Sequence, residues 1–380
     1  MNFFSIVSEF NPFHNGHKHL IEQTKKKTGA DGIVCIMSGS MVQRGDVAIY
    51  DKWTRAGAAV KNGADLVIEL PVCYVLQSAD IFAKGAVEII NAIGSRGIAF
   101  GSECTDTEQL LKIAKLHSDE PENYKTKLNG YLNEGMGYPA ACLKATADIL
   151  GELPAEISLP NSTLGISYLS AINKINPSLE IHIEQRLGNY HSTDIDTTYP
   201  SATAIRHKIL SGDKKYENSL CTSDIIYDIN NISSYILGFF RSTTEDTISK
   251  IAGMEPGLAQ RLIKASKEST NLEDFVAACI SKRYTAHRIR RLLLSSILKI
   301  TEAPPPQYAR VLALNGTGAE ILKKIKQQGN IEVITKISRS EHKDSVMLKQ
   351  DILATDISSL CAGQRASMDF LTTPVVIGKD

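Results

Sequence analysis

Charge of one sign is the first thing missing. Against 42 Lys and Arg residues stand 42 Asp and Glu, so the formal net charge over 380 residues is zero. A globally basic nucleic-acid binder is thereby excluded, and any surface for a polyanion must be a local basic patch offset by acid elsewhere. No apolar run approaches the roughly 20 residues of a membrane span, and no basic-then-apolar leader opens the sequence. No two of the seven cysteines form a C-x-x-C pair; Cys35, Cys73, Cys104, Cys142, Cys221, Cys279 and Cys361 are scattered through apolar segments. Such a set reads as reduced, buried thiols, and ligation of a metal by cysteine is not expected. No carboxylate cluster has metal-ligand spacing, so no protein metal site is assigned. Repeats and low-complexity tracts are absent too. The expectation is a cytosolic protein with no membrane partner; the sequence sets no oligomeric state.

What is present is ordinary in bulk, with 43% hydrophobic and 22% charged residues. A chain of this length implies two or more domains. Apolar runs and helical patterns alternate through the first half. Strands are expected at 3–8, 32–37, 65–69 and 97–103, with helices at 17–28, 53–62 and 78–93 between them. Continuous apolar strands separated by helices predict a parallel sheet covered on both faces, an α/β, Rossmann-like domain. In such sheets ligands sit outside the carboxyl ends of the strands, where His14, Ser38-Gly39-Ser40 and Gly101-Ser102-Glu103 fall. From 105 to 150 the pattern is mostly helical with a break at Gly135–Pro139. The loop 159–162 leads into a helix at 164–175. A fifth strand is expected at 179–185, followed by a polar loop, 188–200, and a helix from Ser201, its N-cap, to 210. The polar stretch 211–218 reads as a linker. Helices are then expected at 223–238, 247–252, 257–269, 272–281 and 285–300. Pro304, Pro305 and Pro306 form a stiff joint, and a small last unit holds a helix at 319–328, a strand at 331–337 and a helix from Ser345. The division is 1–212 for the α/β domain, 213–303 for a mainly helical region, and 304–380 for a small C-terminal α/β unit.

The stretch with most chemistry is Glu9-Phe10-Asn11-Pro12-Phe13-His14-Asn15-Gly16-His17. It joins a buried strand to a helix N-terminus, where backbone N–H groups and the helix dipole favour an anion. His14 and His17 share one face of the first turn, and Gly16 between them lets a ligand approach the main chain. In mid-helix such a pair would read as incidental or as a weak metal pair. After a buried strand it reads as a phosphate site, with two imidazoles that stabilise a five-coordinate α-phosphate. A second feature is Lys282-Arg283-Tyr284-Thr285-Ala286-His287-Arg288-Ile289-Arg290-Arg291, the densest basic run. It reads either as a solvated helix face or as an RNA-backbone footprint. Arg44, Lys52 and Arg55 read as a basic loop that is either merely solvated or in contact with substrate or RNA. Asp46 and Glu103 would either neutralise those charges or face a magnesium ion carried with a bound phosphate.

The H-x-G-H set at 14–17 resembles the signature of the nucleotidylyltransferase superfamily with the HIGH-type fold. The wider match, from Ser8 to His17, resembles the opening of the bacterial tRNA(Met) cytidine acetate ligase family. So do Met37-Ser38-Gly39 with Val42–Asp46, Lys52-Trp53-Thr54-Arg55-Ala56, Ala64–Pro71, Gln77–Asp80 and Phe100-Gly101-Ser102-Glu103. The likeness continues through Pro160-Asn161, Arg186, Tyr190-His191-Ser192 and Ser201–Arg206. Ser40, Met41 and Ser162 depart from the pattern. The resemblance implies a ligase that joins acetate to the AMP moiety of ATP, carried with Mg2+, and passes the acetyl group to N4 of the wobble cytidine of elongator tRNA(Met). It implies His14 and His17 as catalytic. ATP contacts would come from Val7, Ser8, Glu9, Phe10, Asn11, Pro12, Phe13, His14, Asn15, Gly16, His17, Lys18, His19 and Leu20. Gly101, Asn161, Arg186, Leu187, Ser201, Thr203 and Arg206 would complete that site. Lys282, Arg283, Arg288, Arg290 and Arg291 would bind tRNA. The competing readings are a metabolic adenylyltransferase acting on a phosphorylated small molecule and a non-catalytic RNA-binding protein.

Overall fold

The computed structural model describes residues 1–187, 200–212 and 219–378. The expected polar loop apart from Pro200, the 213–218 part of the expected linker, and Tyr190, His191 and Ser192 lie outside the described residues.

The strands are β1 (Phe3–Ser8), β2 (Gly32–Ser38), β3 (Met41–Val42), β4 (Asp46–Val47), β5 (Leu66–Leu70), β6 (Gly97–Ser102), β7 (Glu180–Gln185), β8 (Tyr308–Leu314), β9 (Glu332–Ile334) and β10 (Val375–Val376). The main sheet runs β10-β8-β5-β2-β1-β6-β7, with β9 also paired to β8 and β3–β4 a separate hairpin. All its pairings are parallel except β5 with β8. Helices of the first half are α1 (Asn15–Thr28), α2 (Lys52–Lys61), α3 (Val72–Val75), α4 (Ala79–Ala92), α5 (Thr107–Asp119), α6 (Glu122–Asn133), α7 (Tyr138–Leu150), α8 (Pro160–Ile175) and α9 (Ala202–Leu210). Later come α10 (Ser233–Ser242), α11 (Glu245–Ser249), α12 (Leu258–Glu268), α13 (Leu272–Cys279), α14 (Ala286–Ile297), α15 (Gly316–Gln328), α16 (Val346–Leu360) and α17 (Met368–Leu371). The fold is thus an α/β, mostly parallel sheet with a mainly helical stretch after it in the chain.

Successive strand residues point to opposite faces, and here both faces are buried. Phe4, Ile6, Ile33, Cys35 and Val67 pack with α1 and α2, whereas Val34, Ile36, Leu66, Ile68 and Ile98 pack with α4, α5 and α8. At roughly 1.5–3 kcal/mol for each fully buried aliphatic side chain, these two layers dominate the stability of the sheet. The chain leaves β1 for β2 and β5 on one side, then crosses back to β6 on the other. That reversal puts a crevice at the carboxyl ends of β1 and β6.

The segment Tyr308–Leu314 was not read as a strand in the sequence, yet as β8 it lies beside β5, and the C-terminal residues thereby extend the sheet. A buried ionic group joins them. Glu69 of β5 accepts from Lys52 Nζ (2.8 Å) and pairs with Arg310 of β8 (3.1 Å), and Asp369 of α17 pairs with both cations at 2.8 and 2.6 Å. Two cations and two anions cancel, which makes their joint burial tolerable. Lys52 therefore does not belong to a solvated basic loop.

Candidate active site

Arg55 is fully buried as well, and it holds the main chain around the crevice. Its guanidinium donates to the carbonyl oxygens of Glu9 (2.6 Å), Ser38 (3.1 Å), Tyr50 (2.9 Å) and Gly39. The ends of β1 and β2 are thus tied to α2 by one planar group whose several donors suit convergent carbonyls. Burial lowers the Arg55 pKa from its ordinary value. The loop it holds contains a cis Asn11–Pro12 peptide and a left-handed Phe10 (φ 46°). The side chains of Phe10 and Phe13 are buried, and Asn11 Oδ1 accepts from Ile49 N at 2.8 Å.

On that base α1 starts two residues earlier than the sequence predicts, with His14 as its N-cap. His14 Nδ1 accepts from Gly16 N (3.1 Å), and His17 Nδ1 accepts from His14 N (3.2 Å). The two rings stack, with centroids 3.8 Å apart and 27° between planes, and Phe10 meets His17 edge-on at 5.0 Å. Gly16 leaves room for this arrangement, because a Cβ there would lie 3.0 Å from His14 Cε1 and would press the ring out of place by a few tenths of an ångström. Burial first, then the charges of Arg186 and Arg206, push the His14 pKa down to about 3. Burial, His14 and Arg186 push His17 down also. Both rings are therefore neutral near pH 7. Each Nδ1 is spent as an acceptor, so the proton sits on Nε2 and each ring has an Nε2–H to donate.

Arg206 Nη1 donates to the Asn11 carbonyl (2.7 Å) and Nη2 to Thr203 Oγ1 (3.0 Å), a hydroxyl that also accepts from Arg44 (3.1 Å). Ser201 caps α9 by accepting from Ala204 N, as the sequence predicts. Arg186 follows β7, and its amide is bonded to the Ser102 carbonyl at 3.0 Å. Its side chain is near enough to depress both histidines. Among the described residues a methyl group on Gly101 would meet only the Glu184 carbonyl oxygen, at 3.9 Å, so they leave the space above that residue open. The hydroxyls of Ser8 and Ser38, at the carboxyl ends of β1 and β2, are buried with no hydrogen-bond partner among the described residues.

Several residues do something the sequence did not reveal. Glu103 accepts from Asn161 Nδ2 and from Ser162 N (2.8 Å) and Oγ (3.1 Å), so it caps α8, which begins at Pro160 rather than 164. Asp46 is bonded to Val47 N (2.8 Å) within the β3–β4 hairpin. His19 Nε2 lies 3.9 Å from Glu184, Lys18 lies 4.0 Å from Glu22, Leu20 packs against the core, and Leu187 is exposed. Val7 also packs on the core. Glu9 accepts from Gln43 N at 2.7 Å, a contact that neither motif spelled out.

The basic run lies on α14 and the turn before it. Arg283 and Arg288 both pair with Glu255, as does the Tyr284 hydroxyl. Arg291 Nη1 donates to the Gln43 carbonyl at 3.1 Å, and burial next to Arg288 lowers its pKa to about 10. Lys282 and Arg290 have no ion pair or side-chain hydrogen bond among the described residues.

A two-imidazole helix start at the crevice of a mostly parallel sheet defines a class, and the chain's relatives agree on it: residues 1–370 match the family model of HIGH Nucleotidyl Transferase. Within that class the match narrows. A tRNA(Met) cytidine acetate ligase of Acetivibrio thermocellus is 34% identical, over 99% of this chain and 100% of its own length. One of Caldanaerobacter subterraneus subsp. tengcongensis is 36% identical over 95% of each. The apo crystal structure of Thermotoga maritima TmcAL superposes with a TM-score of 0.89 at 28% identity, covering both chains fully. A second crystal form of that protein, bound with alpha-thio ATP, gives 0.86. The chain belongs to the tRNA(Met) cytidine acetate ligase family.

Proposed function

We propose that this protein activates acetate with ATP and transfers the acetyl group to N4 of the wobble cytidine of elongator tRNA(Met). In the first step an acetate oxygen attacks the α-phosphate and pyrophosphate leaves. In the second the N4 amine attacks the acyl carbon of acetyl-adenylate, AMP leaves with the bonding electrons, and the nitrogen loses a proton. The products are N4-acetylcytidine and AMP.

The observation that carries this reading is the neutral imidazole pair, His14 and His17, with Nε2–H donors on one face of the α1 start. Neutral donors can follow the charge that builds on an α-phosphate without being consumed as bases, which is transition-state stabilisation by fixed dipoles. Arg186 and Arg206 supply formal charge, Thr203 and Ser201 belong to the same anion-facing segment, and Gly101 leaves room for the nucleoside. Residues 7–20, Asn161 and Leu187 complete the proposed ATP site, and magnesium accompanies the nucleotide as substrate. The metabolic adenylyltransferase alternative has no use for a helical region this long.

The division of labour we favour assigns 1–212 to adenylation, 213–303 to tRNA, and 304–380 to a small unit that extends the sheet. Lys282, Arg283, Arg288, Arg290 and Arg291 are the proposed RNA contacts, with Lys282 and Arg290 the most available. Arg283 and Arg288 would exchange Glu255 for phosphate. The protein is proposed to work in the cytoplasm, and among the described residues no helix is long and apolar enough to cross a membrane.

Acetate-dependent exchange of pyrophosphate into ATP, followed by mass spectrometry of nucleosides from the tRNA, tests the proposal. Exchange with acetate and appearance of N4-acetylcytidine are expected. Exchange absent with every carboxylate would remove the ligase reading, and exchange without acetylated cytidine would remove the RNA target.

A further inference from the structure

The nucleotide crevice and α14 are bridged by one small element, the β3–β4 hairpin. On the crevice side Gln43 N donates to Glu9 Oε1 at 2.7 Å, and Arg44 reaches Thr203 Oγ1, the hydroxyl shared with Arg206. On the α14 side Arg291 donates to the Gln43 carbonyl at 3.1 Å, and His287 Nδ1 lies 3.3 Å from the Arg44 carbonyl oxygen. Gly45 sits buried at the turn with φ 78°. A Cβ there would stand 2.4 Å from Arg291 N, 2.6 Å from the Arg290 carbonyl carbon and 2.7 Å from Arg290 Cβ. Main chain rests on main chain, so no flexible side chain could move aside. Both the left-handed backbone and the contact require glycine.

Acyl transfer needs the amine and the acyl carbon to meet at about 3–3.5 Å, and an error of about 1 Å is enough to cost two orders of magnitude. If α14 holds the RNA and the 9–17 loop holds the acyl-adenylate, their separation is fixed by whatever joins them. We infer that the β3–β4 hairpin is that spacer, and that Gly45 is a positioning residue for the second half-reaction, attack of the RNA amine on the bound acyl-adenylate. The inference rests on the ligase reading proposed above. Adenylation needs no RNA and is therefore nearly indifferent to the spacing.

The experiment compares Gly45→Ala with the parent in three assays. These are affinity for the tRNA substrate, acetate-dependent exchange without RNA, and single-turnover transfer from preformed acetyl-adenylate at saturating tRNA. Affinity and exchange are expected within about threefold of the parent, while transfer falls at least about tenfold. Transfer that is unchanged, or that falls only in step with exchange, overturns the inference. Should Gly45→Ala not fold, His287→Ala, which removes a single side-chain contact to the hairpin, decides the matter. A loss of transfer of about threefold or more with exchange intact supports the spacer, and no loss overturns it. A parent protein that shows no acetate-dependent exchange contradicts the ligase reading itself, and that result is visible before any variant is made.

Discussion

The 9–17 loop and helix α14 are both assigned to polyanions, yet they are built in opposite ways. In the loop the groups proposed to meet the nucleotide are neutral imidazoles, fixed by Nδ1 hydrogen bonds and backed by a buried arginine that donates to four carbonyls. On α14 and the turn before it the groups are full charges on half-buried or exposed side chains, two of them sharing one glutamate. The loop is suited to a reaction, because a preorganised dipole costs no rearrangement when charge develops. The helix is suited to holding a long backbone, because counterion release rewards charge wherever phosphates fall. One design is insensitive to salt and intolerant of substitution, and the other is the reverse.

The sharpest break of that contrast is Arg55→Met. It leaves several buried carbonyls without a donor and is expected to destabilise the fold by about 3–5 kcal/mol, read from chemical denaturation. A loss below about 1 kcal/mol would mean the loop is not held as described. Next in size, His14→Ala or His17→Ala should lower acetate-dependent exchange about 10²–10³-fold while tRNA affinity stays unchanged. A parallel loss of both would erase the distinction between the two regions. Replacing Lys282 and Arg290 together by alanine should weaken tRNA binding about tenfold and reduce its salt slope by one to two, with exchange intact. The smallest effect is the most specific: Glu255→Gln releases Arg283 and Arg288 and should tighten tRNA binding about two- to fivefold at low salt. Weaker binding in that variant would show that Glu255 orients the arginines rather than masking them.

How much of this was legible beforehand depends on how far apart in the chain the partners are. The strand–loop–helix at 3–28 and the Ser201 cap are local patterns, and both are present. Lys52 and Arg55 read as part of a basic loop, either solvated or in contact with substrate or RNA, and their burial is not legible because their partners Glu69, Asp369 and the carbonyls of Glu9 and Ser38 are distant in sequence. Charge alone says nothing of burial until those partners are in place. Tyr308–Leu314 is an apolar run, but the three prolines at 304–306 read as a stiff joint, and only its pairing with the distant β5 makes it a strand. Glu103 reads as a carboxylate that neutralises the basic loop or faces a magnesium ion, whereas its bonds to Ser162 at the start of α8 are not legible in the sequence. The histidine pair is legible from spacing, but its tautomer follows only from the Gly16 N and His14 N donors, and its neutrality from burial backed by Arg186 and Arg206.

That neutrality also sets a pH dependence. The unfolded chain protonates histidine near pH 6.5, whereas folded His14 resists until about pH 3. Between those values the unfolded state binds more protons, so stability falls as pH drops through that window. A bound polyphosphate favours the imidazolium, so it should lift the His14 pKa towards its ordinary value, narrow that window and shrink the acid-induced loss of stability. The measurement that tests the central claim most directly is 15N NMR titration of the His14 ring in the full-length protein without nucleotide. The account predicts an Nε2-protonated neutral ring at pH 7 that stays neutral well below pH 6.5. An imidazolium at pH 7, or a proton on Nδ1, would contradict it.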